Sequence, residues 1–483
     1  MRSNPMKRAC LLLFACGLVS GDAFAFKQLT RLDNAYDNFK QMKIQSLEYQ
    51  ASGRYYQFGQ ASAPGAPWPA FEVDRYVGTL DFARGAVHAK YHRVQVQEPG
   101  RARPHSEQTQ DQYAVNGVTW NLAPGPVAMP ANLAERNAEL WGSPLGFIKA
   151  AYEHKARSET HKDGSVTLRF VLDGKYRFEG ELSPNNEVVR VRTFIDSPVL
   201  GDTPIEFRYL EYRDFDGVRF PTRIERYVAG LPWYELTVSD LKLNVATPFP
   251  VPPEIAANPA PSVANIEVTE LAPGLLVFGG GTHNSVIVAQ RDGIVVIEAP
   301  LSEQRSDAVM AKVRELYPGK RISGVINTHA HFDHAGGLRS YVAAGVPVIT
   351  LKRNADYYAR AWAAPHTLNP DRLSTVKRKP VFRTFDTKLS IADDTHPIEV
   401  LAIEGSGHND AFAMVYLPKD RVLVEGDAWT PAPPGAQAPA VVNPLWVNLD
   451  ENIRRLNLDV ARVAPLHGAV QDIGVLRAAL GAN

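Results

Sequence analysis

Two rhythms of apolar and polar positions divide this chain. Before residue 248, apolar and polar residues alternate in short runs: Leu47 to Phe58, Phe71 to Phe82, Val87 to Val96, Val166 to Leu172, Tyr176 to Leu182, Val188 to Ile195 and Ile205 to Tyr212. A period of two puts one face of each run against a core, the mark of half-buried strands. Asp173-Gly174, Asn185-Asn186 and Asp216-Gly217 punctuate them as hairpin turns. Leu29 to Ile44 reads as one amphipathic helix. An antiparallel meander of this kind curls into a half-barrel or covers a helix.

After residue 263 the rhythm changes. Two strand pairs end at Gly293 to Ile297, and Ser302 to Leu316 follows as a helix. The apolar run Ile322 to Ile326 reads as a buried strand, with a helix from about Ala335 and a short strand over Val346 to Thr350. Further strands are predicted at Ile398 to Glu404, Ala411 to Leu417 and Val422 to Glu425, and helices near Leu449 to Leu456 and Val470 to Leu480. Between the two regions, residues 248 to 261 carry six prolines, a stiff extended linker. The predicted organisation is a signal peptide over 1–25, a β-rich accessory domain over 26–247, a linker over 248–263 and a second domain over 264–483. With 483 residues the chain is too long for one core.

The start carries Arg2, Lys7 and Arg8, then an apolar segment from Cys10 to Val19, then Ala23-Phe24-Ala25. This is the order of a secretory signal cleaved after Ala25, which predicts a periplasmic or secreted protein. The alternative is a lipoprotein modified at Cys16. Both cysteines of the chain, Cys10 and Cys16, lie in this segment. A mature chain would therefore form no disulfide and bind metal through nitrogen and oxygen alone. Beyond the start no apolar run reaches about 18 residues, so no transmembrane segment is expected. Basic and acidic residues balance at 52 each, which argues against a nucleic-acid partner. The pattern specifies no oligomeric state.

The candidate chemistry sits in Thr328-His329-Ala330-His331-Phe332-Asp333-His334, immediately after the Ile322 to Ile326 run. Four potential metal ligands fall within six residues. His408 follows 74 residues after His334, Asp427 another 19 on and His467 another 40 on, each at the end of an apolar stretch. Strand ends can hold such side chains in fixed directions at one edge of a sheet.

His-x-His-x-Asp-His with these three later residues resembles the metallo-β-lactamase superfamily, over roughly residues 264 to 483. The resemblance implies an αββα sandwich, and with the β-rich first region an α+β chain. It implies two Zn2+ per chain: His329, His331 and His408 on the first, Asp333, His334 and His467 on the second, Asp427 between them. Such a pair lowers the pKa of a shared water towards about 7, so a metal-bound hydroxide would be the nucleophile. Asp333 is then a candidate catalytic group, placed to take up a proton. The family usually has Asp where this chain has Glu298; glutamate, one methylene longer, could support the metal loop through the same hydrogen bonds. Enzymes that destroy β-lactams usually lack the aspartate at the position of Asp427. The resemblance, and not the charge balance, therefore implies a small-molecule substrate and a zinc hydrolase acting on an ester, thioester or lactone-like bond.

His283, in the Gly279 to Asn284 hairpin tip, and Trp429 and Trp446, which flank a Pro- and Ala-rich loop from Pro431 to Pro444, are candidate substrate contacts. His366 is a further candidate for the cleft. His88 and His92 share a strand face with Lys90 and read as solvated. Two other readings stay open. One is a mononuclear iron enzyme like the persulfide dioxygenases of the same superfamily. The other is a lipid-like-ligand binding protein with a secondary metal site, since Tyr212 to Pro221 is loosely similar to strands of periplasmic lipoprotein-carrier-like domains.

Overall fold

The computed structural model describes residues 31–37, 39–122, 125–432 and 441–481. The expected signal segment and most of the Pro- and Ala-rich loop lie outside them. Residues 46–243 build one antiparallel sheet of thirteen strands. Its order is set by a single long-range event: the first strand, Ser46–Tyr56, pairs with the last, Leu231–Leu243. From that pair the chain meanders outward on both sides. Alternation produces the faces as expected. In Ser46–Tyr56, Leu47, Tyr49 and Ala51 are buried while Ser52 and Arg54 face solvent. Asp173-Gly174 and Asp216-Gly217 both adopt positive φ at the two turn positions, the geometry that matches strand twist in a two-residue hairpin. Asn116-Gly117 and Ala229-Gly230 use the same device.

The sheet curls around two helices, Leu133–Gly142 and Pro144–Glu153, joined at Ser143, whose hydroxyl accepts from the Gly146 N–H and caps the second helix. Phe147 fills the space above Gly180, and Phe207 lies on Gly142. A buried ionic cluster fixes the first helix to the sheet: Arg226 donates to Glu135 at 3.0 Å and Glu139 at 2.9 Å, and Tyr234 donates to Glu139 at 2.7 Å. Residues 31–37 and 39–41 are helical, within the helix expected over 29–44.

In the Pro-rich segment, Pro253–Ala257 forms a short helix, and Ile255, Phe249 and Val251 pack beside Trp120 and Val115. After it, seven strands and six strands form two further sheets. These face each other across Val286, Ile297, Ile326, Val400, Val415 and Val424. Glu303–Leu316, Leu338–Ala344 and Lys352–Ala361 cover one outer face. Pro444–Arg455 and Ile473–Ala479 cover the other. The chain is α+β, with an αββα sandwich after the large antiparallel sheet. No helix among the described residues is long and apolar enough to cross a membrane.

Candidate metal centre

Parallel pairing brings several chain reversals to one edge of the sandwich. Ile294–Ile297 pairs with Ile322–Ile326, and Val422–Glu425 with Arg462–Pro465. Glu298, the 327–334 segment, Asp427 and His467 leave the carboxyl ends of these four strands together, and the loop after Ile398–Ala402 adds His408.

Asp427 divides the cluster in two. Its Oδ2 faces His408 Nε2 at 2.8 Å, His329 Nε2 at 3.3 Å and His331 Nδ1 at 3.9 Å. Its Oδ1 faces His467 Nε2 at 2.9 Å and His334 Nε2 at 3.2 Å. Asp333 Oδ2 lies 3.8 Å from His334 Nε2. All seven expected ligands are therefore gathered, in one group of His329, His331, His408 and Asp427 and another of Asp333, His334 and His467 that also takes in His283.

The hydrogen bonds behind these side chains decide which ring nitrogen is free. His467 Nδ1 donates to the Thr282 carbonyl at 3.0 Å, and His334 Nδ1 to Glu298 at 3.1 Å. Thr328 Oγ1 donates to Glu298 at 2.5 Å and so accepts from His329 Nδ1 at 3.0 Å. His331 is turned the other way: its Nε2 donates to the Ala61 carbonyl at 2.9 Å. A carbonyl or carboxylate can only accept, so each imidazole is fixed in one tautomer with its lone pair aimed inward. His331 Nδ1 is buried and has no partner. An orphaned buried nitrogen beside a carboxylate and the inward lone pair of His329, with His408 Nε2 facing them, fits a cation.

Charge and burial point the same way. Burial, with the charge of His334, pushes His329 down to about 4, and burial also holds His331 well below its ordinary value. Both are neutral and competent as ligands. Burial opposes charge on His334, but the Asp427 and Asp333 carboxylates outweigh it and raise that imidazole. Burial likewise opposes ionisation of Asp427, yet His334 and His408 hold it well below the usual carboxylate range. A cation on the Asp333 side competes with the proton on His334, so its binding weakens as pH falls.

Glu298 is fully buried and accepts from Asn327 Nδ2 at 2.9 Å as well as from Thr328 and His334. Its extra methylene lets one carboxylate brace three residues of the 327–334 segment. His283 is buried, with Nε2 3.1 Å from Asp333 Oδ2. Its ring centroid is 4.1 Å from that of His467. Trp429 is packed among Leu423, Leu449 and Ile453, and Trp446 packs against the same group. Trp429 is thus buried in the core, Trp446 is half-buried on helix 444–455, and neither is among the clustered His and Asp side chains. His366 lies against Gly201, 3.9 Å from Asp371. His88 pairs with Asp111 at 2.8 Å, and His92 with Asp74 and Glu107. Gln60, Ala61 and Arg103 were not legible beforehand. Gln60 Nε2 donates to Asp333 Oδ1 at 2.8 Å, and Arg103 donates to the Gly407 and His408 carbonyls at 2.6 and 2.7 Å.

The profile of the metallo-β-lactamase superfamily matches residues 278–467. A metallo-β-lactamase type 2 from Elizabethkingia meningoseptica is 28% identical over 144 residues, 30% of this chain and 51% of that protein. The type 2 enzyme of Bacillus cereus is 24% identical over 196 residues, 40% of this chain and 70% of that protein. The chain thus spans about half the length of the first of these relatives. A metallo-β-lactamase from Pontibacter korlensis aligns structurally with a TM-score of 0.36 at 21% identity, over 45% of this chain and 98% of that one. Residues 278–467 contain all seven clustered side chains, and it is this region of the chain that matches the metallo-β-lactamase superfamily.

Proposed function

We propose that this chain is an exported hydrolase with two zinc ions, acting on an ester, thioester or lactone-like bond. The observation that supports it best is Asp427 turning one oxygen to His329, His331 and His408 and the other to His334 and His467. On this reading the first three hold one ion, Asp333, His334 and His467 the other, and Asp427 both. Zinc bound there would supply Lewis acidity and a water ionised near neutral pH.

The chain's own residues do the rest. Glu298, Thr328 and the Thr282 carbonyl fix the directions of the imidazoles. Asp333 is the more open of the two carboxylates, its side chain 33% exposed against 16% for Asp427. On this reading it would be the group that takes up a proton during attack. His283 bonds Asp333 Oδ2 and is the nearest candidate to meet a substrate from the hairpin side. Residues 1–25 serve as the signal peptide, 26–247 as an accessory domain, 248–263 as the linker and 264–483 as the catalytic domain.

The type 2 relatives are named for β-lactam hydrolysis. The bridging carboxylate of Asp427 favours the other bonds for this chain. The test is metal analysis of the purified protein followed by a hydrolysis screen with lactones, thioesters, aryl esters, β-lactams and phosphodiesters. Two zinc equivalents with turnover of lactones, thioesters or esters are expected. One equivalent of iron, or turnover confined to β-lactams, would overturn the reading.

A further inference from the structure

The metal motif is held from outside its own sandwich. Phe332, between His331 and Asp333, points into the β-rich region. Its ring lies 5.2 Å from that of Phe58 and 5.8 Å from that of Trp68, both edge-on. Phe58 in turn stacks on Trp233 at 5.1 Å. This aromatic box belongs to the core of the thirteen-stranded sheet. The chain that forms it continues into residues 59–62, between the first two strands.

Residues 59–62 then bond the motif on both sides of Phe332. The Gly59 carbonyl accepts from the Phe332 N–H at 3.2 Å. Gln60 donates to Asp333 Oδ1, which leaves Oδ2 facing His283 Nε2 at 3.1 Å and His334 Nε2 at 3.8 Å. The Ala61 carbonyl accepts from His331 Nε2 and also from Asn409 Nδ2 at 2.9 Å, beside His408. The Ser62 carbonyl accepts from the Asp410 N–H at 2.8 Å. Gly59 has φ of +80°, and a β-carbon there would stand 2.8 Å from the Phe332 ring. Only glycine allows this approach.

We propose that residues 58–62 are a working part of the metal centre and that Gln60 is a positioning residue for Asp333. The β-rich region is then more than a neighbour: it sets how tightly the ion shared by Asp333, His334 and His467 is held. Removing the Gln60 amide releases Oδ1 and leaves the Asp333 carboxylate held through Oδ2 by His283, without touching any residue of the other trio. The inference rests on the two-ion reading above.

The experiment uses the full chain. Gln60→Ala, and Gln60→Met as the variant that keeps the volume, are titrated with zinc against a chromophoric chelator. Both are also loaded with cobalt for electronic spectra. The wild type is expected to take up two ions. Each variant should lose about 10- to 100-fold in affinity at one site only, the loss typical when a group behind a metal ligand is removed. One set of cobalt bands should change, with the thermal midpoint of the metal-free protein unaltered. Unchanged affinity at both sites in either folded variant overturns the inference while leaving the two-ion reading intact. Equal loss at both sites with a lowered midpoint also overturns it, since that marks a packing role. A wild type that binds fewer than two ions overturns the reading and this inference with it.

Discussion

Shortening Glu298 to aspartate tests how much the buried brace contributes to the metal centre. The substitution withdraws the carboxylate by about one carbon–carbon bond, about 1.5 Å. His334 Nδ1 stands 3.1 Å from Glu298 Oε2, and Asn327 Nδ2 stands 2.9 Å from Oε1. Both contacts would open beyond hydrogen-bonding range unless the strand end moves. That movement is opposed by the Ser285 hydroxyl, which donates to the Glu298 carbonyl at 3.0 Å, and by the Glu298 N–H, which donates to Ile326 at 2.8 Å. Glu298 has φ of 75°, a region where aspartate is better tolerated than most residues, so backbone strain is not the source of the loss. The expected effect is about 10- to 100-fold weaker binding of the ion at His334, or about 1.4 to 2.7 kcal/mol. Glu298→Gln keeps the reach and removes the charge, and so separates length from electrostatics. The assay is zinc competition with a chelator, read beside a metal count after dialysis. Binding by Glu298→Asp within twofold of wild type would refute the bracing argument.

Asp427→Ala is expected to leave fewer than two tightly bound ions and little turnover, since each half of the cluster loses its shared carboxylate; metal analysis and single-turnover hydrolysis check this. Asp371 is held below its ordinary pKa because Arg339, bonded to it at 3.0 Å, outweighs the effect of burial. Its contribution to stability is therefore present above the unfolded value of about 3.9 and fades as pH falls through the lower folded value. Asp371→Asn should cost about 3 kcal/mol near neutral pH, with the gap from wild type closing below about pH 4 in denaturant titrations. A β-carbon at Gly407 would lie 1.7 Å from the Ala102 carbonyl. Gly407→Ala should thus destabilise by about 1–3 kcal/mol and displace His408, seen as a lower melting point and weaker binding of the first ion. Finally, under the proposed hydrolysis by a metal-activated water, intact-protein mass spectrometry during turnover should reveal no covalent adduct.

The clustered seven could be read from the sequence because each lies in a segment that follows a buried strand. A strand end fixes direction, and parallel pairing aligns the ends. The hairpin pairs Asp173-Gly174 and Asp216-Gly217 were legible for a similar reason: positive φ at two successive residues restricts residue type. Glu107–Val115 was missed because Glu107 to Gln112 contains no apolar residue to mark a buried face. The helices at 133–153 were missed where Gly142, Ser143 and Pro144 interrupt them. Trp429 flanks a Pro-rich loop in sequence yet points into the core, a direction set by backbone bonds from Ala428 and Trp429 to the buried Glu425. Gln60 and Ala61 had no local signal at all. Their partners, Asp333 and His331, are 273 and 270 residues away, and only the docking of Phe332 makes them neighbours.

The pairing of the first strand with the last carries a kinetic consequence. Leu47 sits opposite Leu243, so 196 residues must be in place before that ladder can zip. Loop closure over such a length is slow, because its entropy is lost before any contact rewards it. Residues 57–62 hang from the unzipped strand until then. A ribosome would release residue 243 before it reached His329, so during synthesis the ladder can close before the sandwich is made; a full-length chain refolding from denaturant has no such order imposed on it. Refolding should accordingly show two phases, with metal captured loosely in the first and retained only after the second.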